Sequence, residues 1–267
     1  MASTFQIQGD PTRFRGHRGG QIQMHRALAH FHLGPMNLAA SSALLIFFSA
    51  IWLKLLPRVC EFWSRILVWG VTVLPLHVRV DVAERHIGFL HLPIPYLRMA
   101  AILPTLETWS AVGIVTLLLF AATYLLPKDL TPVIYLARGV LIIQGSAVVY
   151  FALWPVRFPH TPDQYMEAMV TATMTLISFV PFLYALTYYI FDFGLWRKAL
   201  LTSITMAHLT LFLPLQVLLH ALILQTTVLF MPVLYIVCGM LVDVLLIIGF
   251  YSWGMTWSFR TPKSART

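Results

Sequence analysis

Apolar residues along this chain gather into long runs separated by short polar links. Six runs, over about residues 37–56, 108–127, 131–154, 166–191, 199–224 and 228–253, are long enough to be helices that cross a membrane. At about 1.5 Å per residue each reaches across a hydrocarbon core roughly 30 Å thick. The links carry the punctuation: Pro127, Lys128 and Asp129, then residues 155–163, then residues 192–198. Aromatic side chains such as Trp109, Trp154, Tyr188, Tyr189, Trp196, Trp253 and Trp257 fall near the predicted interfaces, where amphipathic rings favour the headgroup level.

One stretch between the first two runs departs from this pattern. From Phe62 the sequence FWSRILVWGVTVLP is apolar, short and charged at its start. It predicts an interfacial helix, with a seventh span as the competing reading. Next, Val78, Val80 and Val82 alternate with His77, Arg79 and Asp81, the period of a half-buried strand. AERHIGFLHL supplies a turn and a returning strand, and Pro93 and Pro95 are expected to end the pairing because neither has an N–H to donate. Before the first run, Met24, Leu28 and Phe31 share one helical face, with Arg26 and His30 largely opposite, which predicts a surface-lying helix.

The expected fold is therefore an all-α polytopic membrane protein, a bundle of six transmembrane helices with a small extracytoplasmic β-hairpin and an interfacial helix. Its parts are a basic, histidine-containing cytoplasmic arm (1–36), a first span (37–56), an extracytoplasmic segment (57–107), a five-helix bundle (108–255) and a basic cytoplasmic tail (256–267). Composition agrees: 59% of the 267 residues are hydrophobic and 10% charged, where a soluble domain carries about a quarter charged residues. The net charge of +8 comes without a nucleic-acid-binding motif, so it reads as a topology signal and no nucleic-acid partner is expected. Arg13, Arg15, Arg18 and Arg26, then Lys128, Arg197 and Lys198, then Arg260, Lys263 and Arg266 share one side if six spans are present. The positive-inside rule makes that side cytoplasmic, with both termini inside. Arg58, Arg65, Arg79, Arg85 and Arg98 on the opposite side weaken the bias. The first apolar run starts too late for a cleavable signal peptide, and a bacterial inner membrane is the default location. Cys60 and Cys238 lie far apart in the chain and imply neither a disulfide framework nor a metal site.

Within the spans, Asp243 interrupts CGMLVDVLLIIG, and an unpaired carboxylate there costs several kcal/mol, of order 3. By residue count from the cytoplasmic ends, Asp243 lies roughly 15 Å deep, His208 roughly 14 Å and Arg138 roughly 10 Å, with Gln144 about 9 Å further along. Gly239, Gly139 and Gly145 near these residues allow close helix approach. An intramembrane polar centre of Arg138, His208, Asp243 and Gln144 follows, with Arg138 facing Asp243. Such a pair fastens two helices or lines a substrate, ion or proton path; alternatively Arg138 snorkels to the interface. Thr171, Thr173 and Thr175 are expected to bond back to their own helix. His208 and His220 raise haem b, but they sit on one helix, on different faces, so no cofactor is predicted. His25, His30 and His32 match no zinc spacing.

Outside the spans, His160, Asp163, Glu167 and Glu107, with His77, His86 and His91, offer the residue types for a surface site. No HExxH, GxSxG or P-loop spacing orders them. The expected function is thus a non-catalytic integral subunit or scaffold of a larger membrane complex, with other membrane subunits and lipids as partners. A small transporter or channel using Arg138, His208 and Asp243 is the alternative. A membrane enzyme acting on a lipid or polymer at the outer surface comes third.

Overall fold

The computed structural model describes residues 35–87, 90–188 and 194–257. The surface helix and the three histidines expected in the arm, and the basic residues of the tail, lie outside the described residues. The described chain is mostly helical with one two-stranded sheet, and five helices are long and apolar enough to cross a membrane. The run expected at 108–127 forms a shorter apolar helix, Leu106–Ala122, of 17 residues. Its N-terminus is fixed by Thr105, whose hydroxyl accepts from the Thr108 N–H, and three 3₁₀-like turns close its end near Thr123.

The first helix, α1, runs without interruption from Pro35 to Val73. The separate interfacial helix expected from Phe62 is therefore replaced by the second half of a 39-residue helix, roughly 58 Å long. Pro57 lies inside it, and tertiary packing overrides the local break. Phe48, Trp52, Leu56, Cys60, Trp63 and Leu67 are all buried at spacings of three or four. That stripe continues across Pro57 and packs on two later helices, so a bend at the proline would forfeit contacts on both sides.

Strands β1 (Arg79–Ile87) and β2 (Leu90–Arg98) pair antiparallel from Arg79↔Arg98 to Ile87↔Leu90. Contrary to expectation, pairing runs through Pro93 and Pro95, which face Glu84 and Val82. A two-stranded ribbon explains this: alternate residues turn their backbone N–H away from the sole partner, and 93 and 95 share that parity. The expected alternation holds at Val78, which is buried, and Val80, which packs on the core, with His77 and Arg79 exposed. It lapses at Val82, which is 47% exposed, whereas Leu92, Ile94 and Leu97 of β2 are buried. The hairpin thus docks through β2, which packs on α1 and on the helix that begins at Pro162.

Helices α2 (Leu106–Ala122) and α3 (Thr131–Leu153) pack mainly on each other. Their bond to the rest passes through Ala147 and Phe151, which meet Val228 and Leu229 in a small separate cluster. The main core joins α1 to α4 (Pro162–Thr187) and α5 (Leu195–Leu224). Thr161 and Gln164 form a capping box at the start of α4, with Pro162 in its first turn, as the free N–H groups there require. The last apolar run is broken. A 3₁₀ turn at Val228–Phe230, one α turn and a π turn at Leu234–Cys238 lead to Gly239, and α6 (Met240–Thr256) follows.

The α1–α5 contact is close at Gly70, where a Cβ would fall 2.4 Å from Leu218 Cδ1. We expect Gly70→Val to destabilise the bundle by about 1–3 kcal/mol through overpacking. Denaturation in mixed detergent micelles measures this; a wild-type midpoint would show that Leu218 simply turns aside.

Candidate functional site

Helices α4, α5 and α6 enclose a column of buried polar side chains. At spacings of eight, eleven and four residues, each close to a whole number of helical turns, α4 presents Tyr165, Thr173, Tyr184 and, at its C-terminal cap, Tyr188. Antiparallel to it, α5 presents His220, Gln216, Thr205, Thr202 and Lys198. At one end the Tyr165 hydroxyl lies 2.6 Å from His220 Nδ1. Further along, Gln216 Nε2 donates to the carbonyls of Cys238 and Gly239. Next comes Thr173 with Asp243, then Tyr184 with Thr205 at 2.9 Å and with the Ile247 carbonyl. At the other end Tyr188 donates to the Lys198 carbonyl, contacts the Thr202 hydroxyl, and accepts through its own carbonyl from Lys198 Nζ at 2.6 Å.

Asp243 is fully buried in this column, and its Oδ2 accepts from the Thr173 hydroxyl at 2.8 Å. Its Oδ1 and the nearby Gln216 Oε1 have no hydrogen-bond partner among the described residues. Both belong to the break in the last run. Gln216 touches the Gly239 carbonyl, and Asp243 lies one turn later, in the first turn of α6. The N-terminal end of a helix favours negative charge, so the break supplies part of the field that a buried carboxylate requires. Gly239 is fixed by space: a Cβ there would sit 2.8 Å from the Tyr235 carbonyl oxygen. Replacing it would push apart the two halves that hold Asp243 in place.

The expected partner of Asp243 is not the one it has. Arg138 Nε donates to the Thr123 hydroxyl at 2.9 Å, and its guanidinium lies 4.2 Å from the centre of the Tyr124 ring. It therefore ties α3 to the end of α2, on the part of the fold that packs apart from α4 and α5. Equal depth in two helices does not bring their side chains together. His208 stacks on Phe212 and meets Phe250 edge-on, about seven residues along α6 from Asp243, or roughly 10 Å. Gln144 reaches the Leu229 carbonyl through a long 3.4 Å contact. Of the four expected residues, only Asp243 belongs to the column.

The residues expected to form a surface site do not converge either. Glu167 pairs with Arg85 of β1, whose Nε donates to it at 3.1 Å. His160 is exposed and leans on Phe158, Asp163 sits in the first turn of α4, and Glu107 occupies the first turn of α2. Among the described residues no three His, Cys, Asp or Glu side chains stand close enough to hold a metal ion. His86 and His91 pair backbone to backbone across the hairpin.

The Arg85–Glu167 pair clamps the hairpin to α4, and a second set of polar contacts stiffens the ribbon. Asp81 accepts from the Val82 N–H at 2.9 Å and faces Arg98 at 3.4 Å. Its carboxyl is held below the usual range, chiefly by that N–H and then by Arg98. A carboxyl lowered on folding contributes stability above its unfolded value, about pH 4, and loses that contribution as pH falls through the lower folded value. We expect the protection of the amides at residues 96–98, measured against their intrinsic exchange rates at each pH, to fall on acidification from pH 5 to 3. Asp81→Asn should remove that pH dependence; an unchanged profile would disprove the role of Asp81.

Sequence reading missed most of the column. Thr171 and Thr175 bond back to α4 as expected, but Thr173 turns to Asp243. The missed signal is the recurrence of Tyr, Thr, Lys, Gln and His at helical spacing on both α4 and α5. Each residue alone is ordinary, and only alignment of two antiparallel helices makes them one column. Comparison with protein-family models, with curated proteins and with solved structures finds no match to this chain.

Proposed function

We propose that this chain is a non-catalytic integral subunit of a larger membrane assembly. Six helices would cross the membrane, with both termini cytoplasmic, the hairpin outside, and a bacterial inner membrane as host. One observation carries this reading. Lys54, Arg58, Glu61 and Arg65 are all exposed on α1 and form no ion pair with another described residue. Such groups inside a bilayer are costly and normally face protein or water, so this face needs a cover that the chain does not supply. The apolar faces of α2 and α3, exposed at Leu117, Leu118, Tyr135 and Leu136, suit lipid or further subunits.

In this reading the column of α4, α5 and α6 is a set of helix fasteners, since interhelical hydrogen bonds are a main source of cohesion in membranes. Gentle solubilisation of native membranes, followed by native electrophoresis, tests the proposal. The chain should migrate well above its 30.3 kDa mass with other proteins bound. Migration of the full-length chain as a detergent-bound monomer would sink it.

A second reading rests on Asp243 Oδ1. A buried carboxylate oxygen beside a broken helix, with an unpartnered amide oxygen close by, is the kind of group that takes up a proton or a monovalent cation in transporters. Asp243→Asn keeps the Thr173 hydrogen bond and removes the charge. If the chain is a fastener, the variant assembles and works as wild type. If it carries ions, flux in proteoliposomes falls at least tenfold while assembly persists.

A further inference from the structure

We propose that the charged face of α1 is the docking seam for a transmembrane helix that carries two carboxylates about seven residues apart. This rests on the subunit reading above and names the chemistry of the partner.

Residues 54, 58, 61 and 65 are spaced by four, three and four, so at 100° per residue they fall within about 60° of one another. Trp52, Leu56, Trp63 and Leu67 occupy the opposite face and are buried against the bundle. The charges therefore point directly away from it. Their depth is set by two tryptophans of that opposite face, Trp52 just before the stripe and Trp63 within it. Trp52 Nε1 donates to Ser178 at 2.7 Å and Trp63 Nε1 to the Thr210 carbonyl at 2.8 Å. The cross-links Tyr165–His220 and Tyr184–Thr205 put Ser178 and Thr210 at nearly one level, and Thr210 is central in the 30-residue α5. The stripe thus lies around the middle of the bundle. Its four residues span about 16 Å, and Arg58 and Glu61 at its centre would stand roughly 10–15 Å from the nearer edge of a 30 Å core centred on the bundle. No side chain snorkels that far.

Charge decides the occupant. Three basic groups and one acid leave +2, even if Glu61 answers one neighbour. A second copy of α1 would bring another +2, so self-association doubles the imbalance. Lipid tails offer no acceptor. A partner helix with two carboxylates neutralises the face, and Arg58 and Arg65, seven residues apart, set the spacing that a left-handed helix pair repeats along its seam.

The test uses donor-labelled full-length chain in liposomes of neutral lipid. The probe is an acceptor-labelled 24-residue leucine-rich transmembrane peptide with two Glu seven positions apart. Energy transfer should show association at least tenfold stronger than for the Gln peptide of the same spacing. Arg58→Leu with Arg65→Leu should abolish the difference. Arg58→Glu with Arg65→Glu should switch preference to a peptide with two Lys. Circular dichroism and total tryptophan fluorescence confirm that each variant is folded. Equal association of Glu and Gln peptides overturns the proposal, as does association indifferent to the arginines or transfer between two copies of the chain that requires Glu61. Native mass separates the two readings. A large complex that survives the double leucine variant removes the seam and leaves the subunit reading. A monomeric wild-type chain removes the subunit reading itself.

Discussion

Trp63→Phe should lower the stability of the bundle by about 1–3 kcal/mol, the cost of leaving a buried carbonyl unpaired, and Pro214→Ala should restore most of it. Pro214 lies inside α5 and has no N–H, so the Thr210 carbonyl four residues earlier loses its helical donor. Trp63 Nε1 from α1 supplies the replacement at 2.8 Å. Without water in the bilayer core, a freed carbonyl must be satisfied from within the protein. Phenylalanine keeps most of the volume and removes the donor. Alanine at 214 returns an N–H to Thr210 from its own helix, which is why the second substitution should rescue the first. Trp63→Ala should cost more, about 3–5 kcal/mol, because a cavity is added. Unfolding in mixed micelles, with the four variants compared as a cycle, measures the coupling. Additive effects of Trp63→Phe and Pro214→Ala would break the link between them.

Thr173→Val should cost about 1–3 kcal/mol as well, because both oxygens of Asp243 are then buried without a partner. In an Asp243→Leu background the same substitution should be nearly neutral, since removing both polar partners removes the unmet demand. The difference between the two backgrounds is the interaction energy of the pair. A Thr173→Val penalty that persists in the leucine background would mean that Thr173 acts through packing, and that Asp243 is held by something other than this hydrogen bond.

These two predictions concern one physical problem solved in different ways. A proline and an aspartate each leave a polar atom in an apolar medium, and a side chain from another helix answers it. The polar residues themselves were plain in the sequence, but their partners were not. Depth along the helix suggested Arg138 for Asp243, yet depth is one coordinate of three. Arg138 lies on α3, which packs with α2, and it is occupied by Thr123 and Tyr124. Thr171, Thr173 and Thr175 are all expected from residue type to bond their own backbone, and in the structure Thr171 and Thr175 do so. The rotation of Thr173 towards α6 separates it from them.

The amino-acid pattern alone determined that the chain is a helical membrane protein and where its apolar runs lie, because transfer to the bilayer depends on length and composition. It also placed a hairpin in residues 77–92, which the structure extends through the prolines to Arg98. Tertiary structure decided how those pieces join. Packing on α4 and α5 carried α1 through Pro57, and the single pairing partner let β2 continue through two prolines. The last run breaks at a π turn beside Asp243, where only Gly239, having no Cβ, fits. It also turned Lys54, Arg58, Glu61 and Arg65 away from the bundle. Local sequence fixes which faces are apolar or charged, but which face meets which depends on contacts between residues far apart in the chain.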